Sequence, residues 1–104
     1  MTTLPTKRAP THPGEILRKD FLEPLGLSQK EAAARLGVSY ERFNELVNGR
    51  RGVTPDTALR LSRLFGTTPE FWLNGQLNLD LWLAMHSPAQ KAIDRIEPLV
   101  KSAG

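Results

Sequence analysis

His12 and His86 are the only imidazoles in this 104-residue chain, they stand 74 positions apart, and cysteine is absent. Thiolate nucleophiles, disulfides and zinc sites with sulfur ligands are therefore excluded. No phosphate-cradling glycine loop, metal-ligand cluster or nucleophile motif accompanies either histidine. The expectation is a protein that is not an enzyme and uses no metal or cofactor. The polar groups that do cluster are of another kind. From Ser39 to Arg51 the chain carries Tyr40, Glu41, Arg42, Asn44, Glu45, Asn48 and Arg50. Their chemistry is directional hydrogen bonding: an amide such as Asn44 pairs bidentately with adenine, a guanidinium such as Arg42 with guanine or a phosphate, and a carboxylate such as Glu41 accepts from the cytosine amino group. Tyr40 can touch a thymine methyl or a phosphate.

Those residues need a scaffold, and the turn signals supply one. Ser39 can cap a helix from Tyr40 to about Asn48, with Gly49 to end it. Upstream, Ser28-Gln29-Lys30-Glu31 reads as a reciprocal capping box, followed by the alanine-rich stretch Ala32-Ala33-Ala34-Arg35-Leu36 and closed by Gly37. Two helices joined through Gly37-Val38 alone must cross steeply, and a close crossing demands small side chains such as Ala33. The pattern is a helix-turn-helix.

At about 100° per residue, Phe43, Leu46 and Val47 share one face of the second of these helices, directed to a core. Glu41 and Glu45 then point outward, with Asn48 beside them and Arg42 and Asn44 on the flanks. In a helix-turn-helix this face enters the major groove, while Gln29 at the start of the preceding helix, with Arg50 and Arg51 beyond, would hold phosphates without reading sequence. The same residues could instead form an ordinary solvated face. Two glutamates four apart there also repel each other and the phosphates.

The remaining elements are helical too. Pro13 and Glu15 suit a helix start, and Leu17, Phe21 and Leu25 recur at spacing four. Pro24 should bias Glu23 out of helical geometry and place a turn at 24–27. Thr54-Pro55 opens a helix with the stripe Ala58, Leu61, Leu64 and Phe65, and Thr68-Pro69 opens another toward Met85. That helix carries more apolar surface than one stripe needs, Trp72, Leu77, Leu81 and Trp82 included. Trp72 reads as core, whereas Trp82, with Leu81 and Met85, lies where a dimer seam would be useful. Ser87-Pro88 begins a short last helix that places Ile93 and Ile96 on one face until Pro98. No strand-like alternation appears.

The reading is all-α: a compact bundle of five to six helices around one core, with a flexible tail at 1–11, a helix-turn-helix domain at 12–85 and a helical extension at 86–104. The apolar fraction of 39% and charged fraction of 24% are those of a globular protein, and no apolar run is long enough to span a bilayer. The first ten residues lack the apolar core of a secretory signal, so a cytoplasmic location without membrane contact is expected. Fourteen basic against eleven acidic side chains leave a net charge of +3, which suits a phosphate-rich partner without requiring one.

Longer motifs carry a resemblance. His12-Pro13-Gly14-Glu15-Ile16-Leu17, Phe21 to Gln29, Val47 to Leu61 and Phe65 to Asn74 resemble the HigA-type antitoxins of the wider Xre/Cro group, which includes repressors of the lambda and 434 kind. The resemblance covers roughly residues 12–82 and departs from the family pattern at Gly75 and Asn78. It implies a homodimer that binds a palindromic operator in duplex DNA, represses its own operon and neutralises a small ribosome-dependent mRNA-cleaving toxin of the HigB type. It also implies base reading by Tyr40, Glu41 and Glu45 and a phosphate contact by Gln29. A stand-alone Xre-type regulator, or a helical docking module built on the two tryptophans, would share much of this sequence.

Overall fold

The computed structural model describes residues 8–100. Six helices and no strand occur among them. The first, α1, is continuous in three segments: an α-helix at Pro13–Ile16, a π-helix at Leu17–Leu22 and a last α-helical turn at Glu23–Leu25. It is followed by α2 (Gln29–Leu36), α3 (Tyr40–Val47), α4 (Pro55–Phe65), α5 (Pro69–Met85) and α6 (Ala89–Asp94). The part of the expected tail at 1–7 lies outside the described residues, as do positions 101–104.

The start of α1 follows from His12 and Pro13. His12 Nδ1 accepts the Gly14 N–H at 2.8 Å, and Pro13 occupies a position whose missing N–H would have had no helical partner. The end of α1 departs from expectation. Glu23 remains helical at φ −64°, ψ −49°, and its N–H reaches back five residues to the Arg18 carbonyl. The widened turn leaves room for the Pro24 ring, which in a regular α-helix would run into the carbonyl four residues back. The helix therefore passes through Pro24 and ends only at Gly26, φ 62°. One extra residue per turn also rotates the inner face. Leu17 and Leu22 are buried, Phe21 is half-buried and Leu25 faces solvent at 66% exposure, so the spacing-four stripe does not hold.

Around Gly37, φ 75°, the turn between α2 and α3 closes by two hydrogen bonds, Gly37 N–H to Ala34 O at 3.2 Å and Val38 N–H to Ala33 O at 3.1 Å. This paired closure satisfies two of the last carbonyls of α2 and requires a left-handed residue. Ala32 and Ala33 are buried beneath the crossing, as the small-residue argument expects. Ser28 Oγ accepts the Glu31 N–H at 3.1 Å. The reciprocal half of the capping box is absent: the Glu31 carboxylate is drawn to Arg35 at 3.0 Å, four residues on along an exposed face.

Leu17, Leu22, Ala32, Ala33, Leu36, Phe43, Leu46, Val47, Val53, Ala58, Leu61 and Trp72 form one core. Trp72 is buried as expected, donates its indole N–H to Thr67 Oγ1 at 2.7 Å, and packs with Phe21 and Phe71 at ring separations of 5.2 and 5.0 Å. The last helix is shorter than expected. It ends at Asp94, and the Ser87 hydroxyl does not cap it but donates to Ala84 O at 2.7 Å; Ile93 and Ile96 stay exposed.

Gly14 allows a close approach at the start of α1. A methyl group on Gly14 would overlap the Leu46 carbonyl at the end of α3, and one on Gly75 would touch Pro13. At Gly75 that contact is an ordinary van der Waals one, so the approach of α5 to α1 would admit alanine as well. Helix propensity favours alanine over glycine by up to about 1 kcal/mol, yet at Gly14 the overlap dominates. Gly14→Ala should lower stability by about 1–3 kcal/mol, read as a fall in thermal midpoint; a midpoint equal to or above that of the parent would refute the close approach.

Candidate nucleic-acid interface

The α3 helix presents the surface the wheel argument anticipated. Ser39 caps it by accepting the Arg42 N–H at 3.1 Å, and Phe43, Leu46 and Val47 are buried. Glu41 and Asn48 are exposed, Tyr40 is 48% exposed, and Arg42, Asn44 and Glu45 are half-buried. The outer face is not a set of free side chains. Asn44 Nδ2 donates to Gln29 Oε1 at 3.0 Å, joining α3 to the first residue of α2. Asn48 Nδ2 donates to the Asn44 carbonyl at 3.0 Å. Arg51 pairs with Glu45 at 2.8 Å.

Arg42 turns the other way. Its guanidinium donates to Thr57 Oγ1 at 3.0 Å and to Asp56 Oδ2 at 3.3 Å, tying α3 to the start of α4. Asp56 also accepts from Arg60 at 2.9 Å. The Arg60 hydrogen bond, with the Arg42 partnership behind it, holds the Asp56 carboxyl below the usual carboxylate range. Among the described residues no side chain bonds Glu41 or Arg50, which leaves both available to a partner.

Two further residues were not singled out by the sequence pattern. Gln76 on α5 accepts the Val53 N–H at 2.9 Å and donates to Asp80 at 2.9 Å, so it anchors the segment that carries Arg50 and Arg51; a loop-to-helix bond across 23 positions has no local pattern. Lys30 is the other. With Ser28, Gln29 and Tyr40 it lines an open groove between the starts of α2 and α3, a position that the capping box hinted at only by adjacency. Leu81, Trp82 and Met85 lie in the last turns of α5, where Leu81 and Met85 are 44% and 51% exposed. Trp82 stacks on His86 at 3.9 Å, and its indole nitrogen is buried without a hydrogen-bond partner among the described residues.

The helix-turn-helix family profile matches residues 19–72, more than half of the chain. The chain belongs to the helix-turn-helix family. Its likeness runs to the HigA antitoxins within that family. Antitoxin HigA-1 of Vibrio cholerae is 46% identical over 78 residues, covering 74% of this chain and 72% of the relative. The solved Pseudomonas aeruginosa antitoxin HigA with the higBA promoter is 40% identical with a TM-score of 0.81, over 88% of this chain and 99% of that one. The antitoxin GraA in complex with its operator is 41% identical with a TM-score of 0.82, over 95% and 100%. The expected HigA-type, Xre-group membership is thus established, and further relatives are named as HTH-type transcriptional regulators. Among the described residues no helix is long and apolar enough to cross a membrane, and no cluster of potential metal ligands occurs.

His12 connects this interface to pH. Its ring lies against Gly49 at the end of α3. Burial pushes its pKa below the ordinary 6.5, opposed by the Asp80 charge and the Arg51 backbone carbonyl. Its Nδ1 must be unprotonated to accept the Gly14 N–H. The folded state therefore binds fewer protons than the unfolded chain, so this contribution to stability is complete above 6.5 and is lost as pH falls through that value toward the lower folded pKa. The thermal midpoint should fall between about pH 7.5 and 5.5, and His12→Asn, which can cap without titrating, should remove part of that fall. Superimposable pH profiles for the two proteins would exclude the assignment.

Proposed function

We propose that this chain is a sequence-specific DNA-binding repressor acting as a HigA-type antitoxin: a homodimer that occupies a palindromic operator at its own operon and neutralises a HigB-type mRNA-cleaving toxin. The observation that carries the DNA-binding reading is the α3 surface itself. A helix whose apolar face is wholly buried presents Tyr40, Glu41, Asn44 and Glu45 outward, in a fold shared with proteins solved with promoter or operator DNA.

In this reading Tyr40, Glu41, Asn44 and Glu45 reach base edges, with Asn48 beside them. Ser39 sets the entry angle of α3. Gln29, Lys30 and Arg50 take phosphates. Arg42 serves differently from a base-reading guanidinium, holding α3 to α4 through Thr57 and Asp56. Residues 12–85 form the DNA-binding unit, residues 86–104 extend it, and Leu81, Trp82 and Met85 form the dimer seam. The toxin partner rests on family likeness alone, and a cytoplasmic site of action follows from the partners proposed.

Anisotropy titrations with duplex from upstream of the gene, repeated across salt concentrations, test the central claim. Affinity should fall steeply and linearly on logarithmic axes as salt rises. A footprint should show two half-sites roughly 34 Å apart; one unrepeated half-site would rule out the two-fold arrangement. Asn44→Ala should cost roughly 1–3 kcal/mol at one base position, whereas Arg50→Ala should weaken all sequences and reduce the salt slope by about one. Uniform weakening by Asn44→Ala would end its base-reading role.

Leu81→Glu should convert the dimer to monomer in sedimentation equilibrium, and an unaltered dimer would move the seam elsewhere. For the toxin, co-expression of this chain with the protein of the neighbouring reading frame should relieve the growth arrest which that protein causes alone. A neighbour with no such effect would leave a plain regulator.

A further inference from the structure

Glu45 poses a problem for a DNA-reading helix, because a carboxylate on the groove-facing side is repelled by the phosphates that flank it. The geometry around Arg51 answers it. Arg51 Nε and one terminal nitrogen both donate to the same carboxylate oxygen, Glu45 Oε1, at 3.1 and 2.8 Å. The second oxygen, Oε2, accepts no hydrogen bond among the described residues. Both side chains remain about half exposed, at 47% and 45%. The result is a half-exposed acceptor whose charge is balanced at one oxygen and whose other oxygen has no bonded partner among the described residues.

The partnership follows from the way the chain leaves α3. Gly49, φ 74°, turns the chain back, and the Arg50 N–H closes onto the Glu45 carbonyl at 2.8 Å. Five residues after Arg50 closes this turn the chain enters α4, and between them Gln76 on α5 takes the Val53 N–H. Held at both ends, the segment sets Arg51 beside the side chain of the residue six positions earlier. Glu41, one helical turn before Glu45, has no arginine partner among the described residues.

We propose, resting on the DNA-reading role of α3 given above, that Arg51 is a positioning residue for base recognition by Glu45 rather than a phosphate clamp. It neutralises the carboxylate, fixes its rotamer and leaves Oε2 to accept from an exocyclic amino group in the major groove. Cytosine is the base this acceptor fits. It presents the N4 amino donor there, whereas guanine and thymine present acceptors, and adenine places its N7 acceptor beside the amino group.

Selection from a pool of random duplexes at fixed salt tests this, run with the parent protein, Arg51→Ala, Glu45→Ala and the double variant. The parent should enrich one cytosine position per half-site. Arg51→Ala and Glu45→Ala should each lower that preference about tenfold or more while keeping the preferences at other positions, and the double variant should discriminate no worse than Glu45→Ala. The salt slope of Arg51→Ala should match the parent. Should Arg51→Ala keep the cytosine preference but weaken every sequence and lose about one unit of salt slope, Arg51 is a phosphate contact and the proposal fails. It fails equally if Glu45→Ala leaves that position unchanged. A parent protein that enriches no sequence overturns the proposed function itself, an outcome distinct from either.

Discussion

The burial of Phe43, Leu46 and Val47 governs the rest of the molecule, because it sets the rotation of α3 about its own axis. Fully burying such side chains is worth about 1.5–3 kcal/mol each, whereas the exposed ion pairs on the opposite face contribute at most about 1 kcal/mol apiece. The apolar face therefore decides, and the polar face is whatever remains. Turning α3 by a single residue would carry Asn44 and Asn48, or in the other sense Arg42 and Glu45, toward the core and strand their polar atoms. The neighbouring helices reinforce the choice: Ala32 and Ala33 let α2 cross closely, and Gly14 admits the Leu46 carbonyl.

With the rotation settled, short polar bonds shape the outer surface. Gln29 holds Asn44, Arg51 holds Glu45, and Thr57 with Asp56 holds Arg42. Exposed bonds of this kind add little stability, but they reduce the number of rotamers that a partner must freeze, a cost of about 0.5–1.5 kcal/mol for each long side chain immobilised. They also redistribute charge. A net charge of +3 is a weak attraction for DNA, yet pairing Glu45 and Asp56 with arginines removes much of the local repulsion that composition alone implies. The same pairing divides the arginines. Arg42 and Arg51 are committed within the chain, and Arg50 has no bonded side chain among the described residues.

Much of the fold was legible wherever its cause was local. Caps at Ser28, Ser39, Thr54 and Thr68, stops at Gly37 and Gly49, and the buried triad of α3 all follow from neighbours within one or two turns. Readings that failed did so where a local rule met a tertiary alternative. Pro24 stays inside α1 because a π turn makes space for it, and that turn moves Leu22 inward and Leu25 outward. Glu31 forgoes its cap for Arg35, and Ser87 bonds backward to Ala84 instead of forward into α6.

The sequence by itself determined the class of the protein and the location of its reading surface: an all-helical chain with a helix-turn-helix and a polar face from Tyr40 to Asn48. Helical periodicity, capping chemistry and the conformational freedom of glycine act over a few residues and can be read from them. Only the tertiary structure decided which of those polar groups are spoken for. Arg42 with Asp56 and Thr57, Asn44 with Gln29 and Val53 with Gln76 join residues 14 to 23 positions apart. Such pairings depend on how whole helices cross, and helix crossings are set by the shapes of buried side chains rather than by any short stretch of sequence.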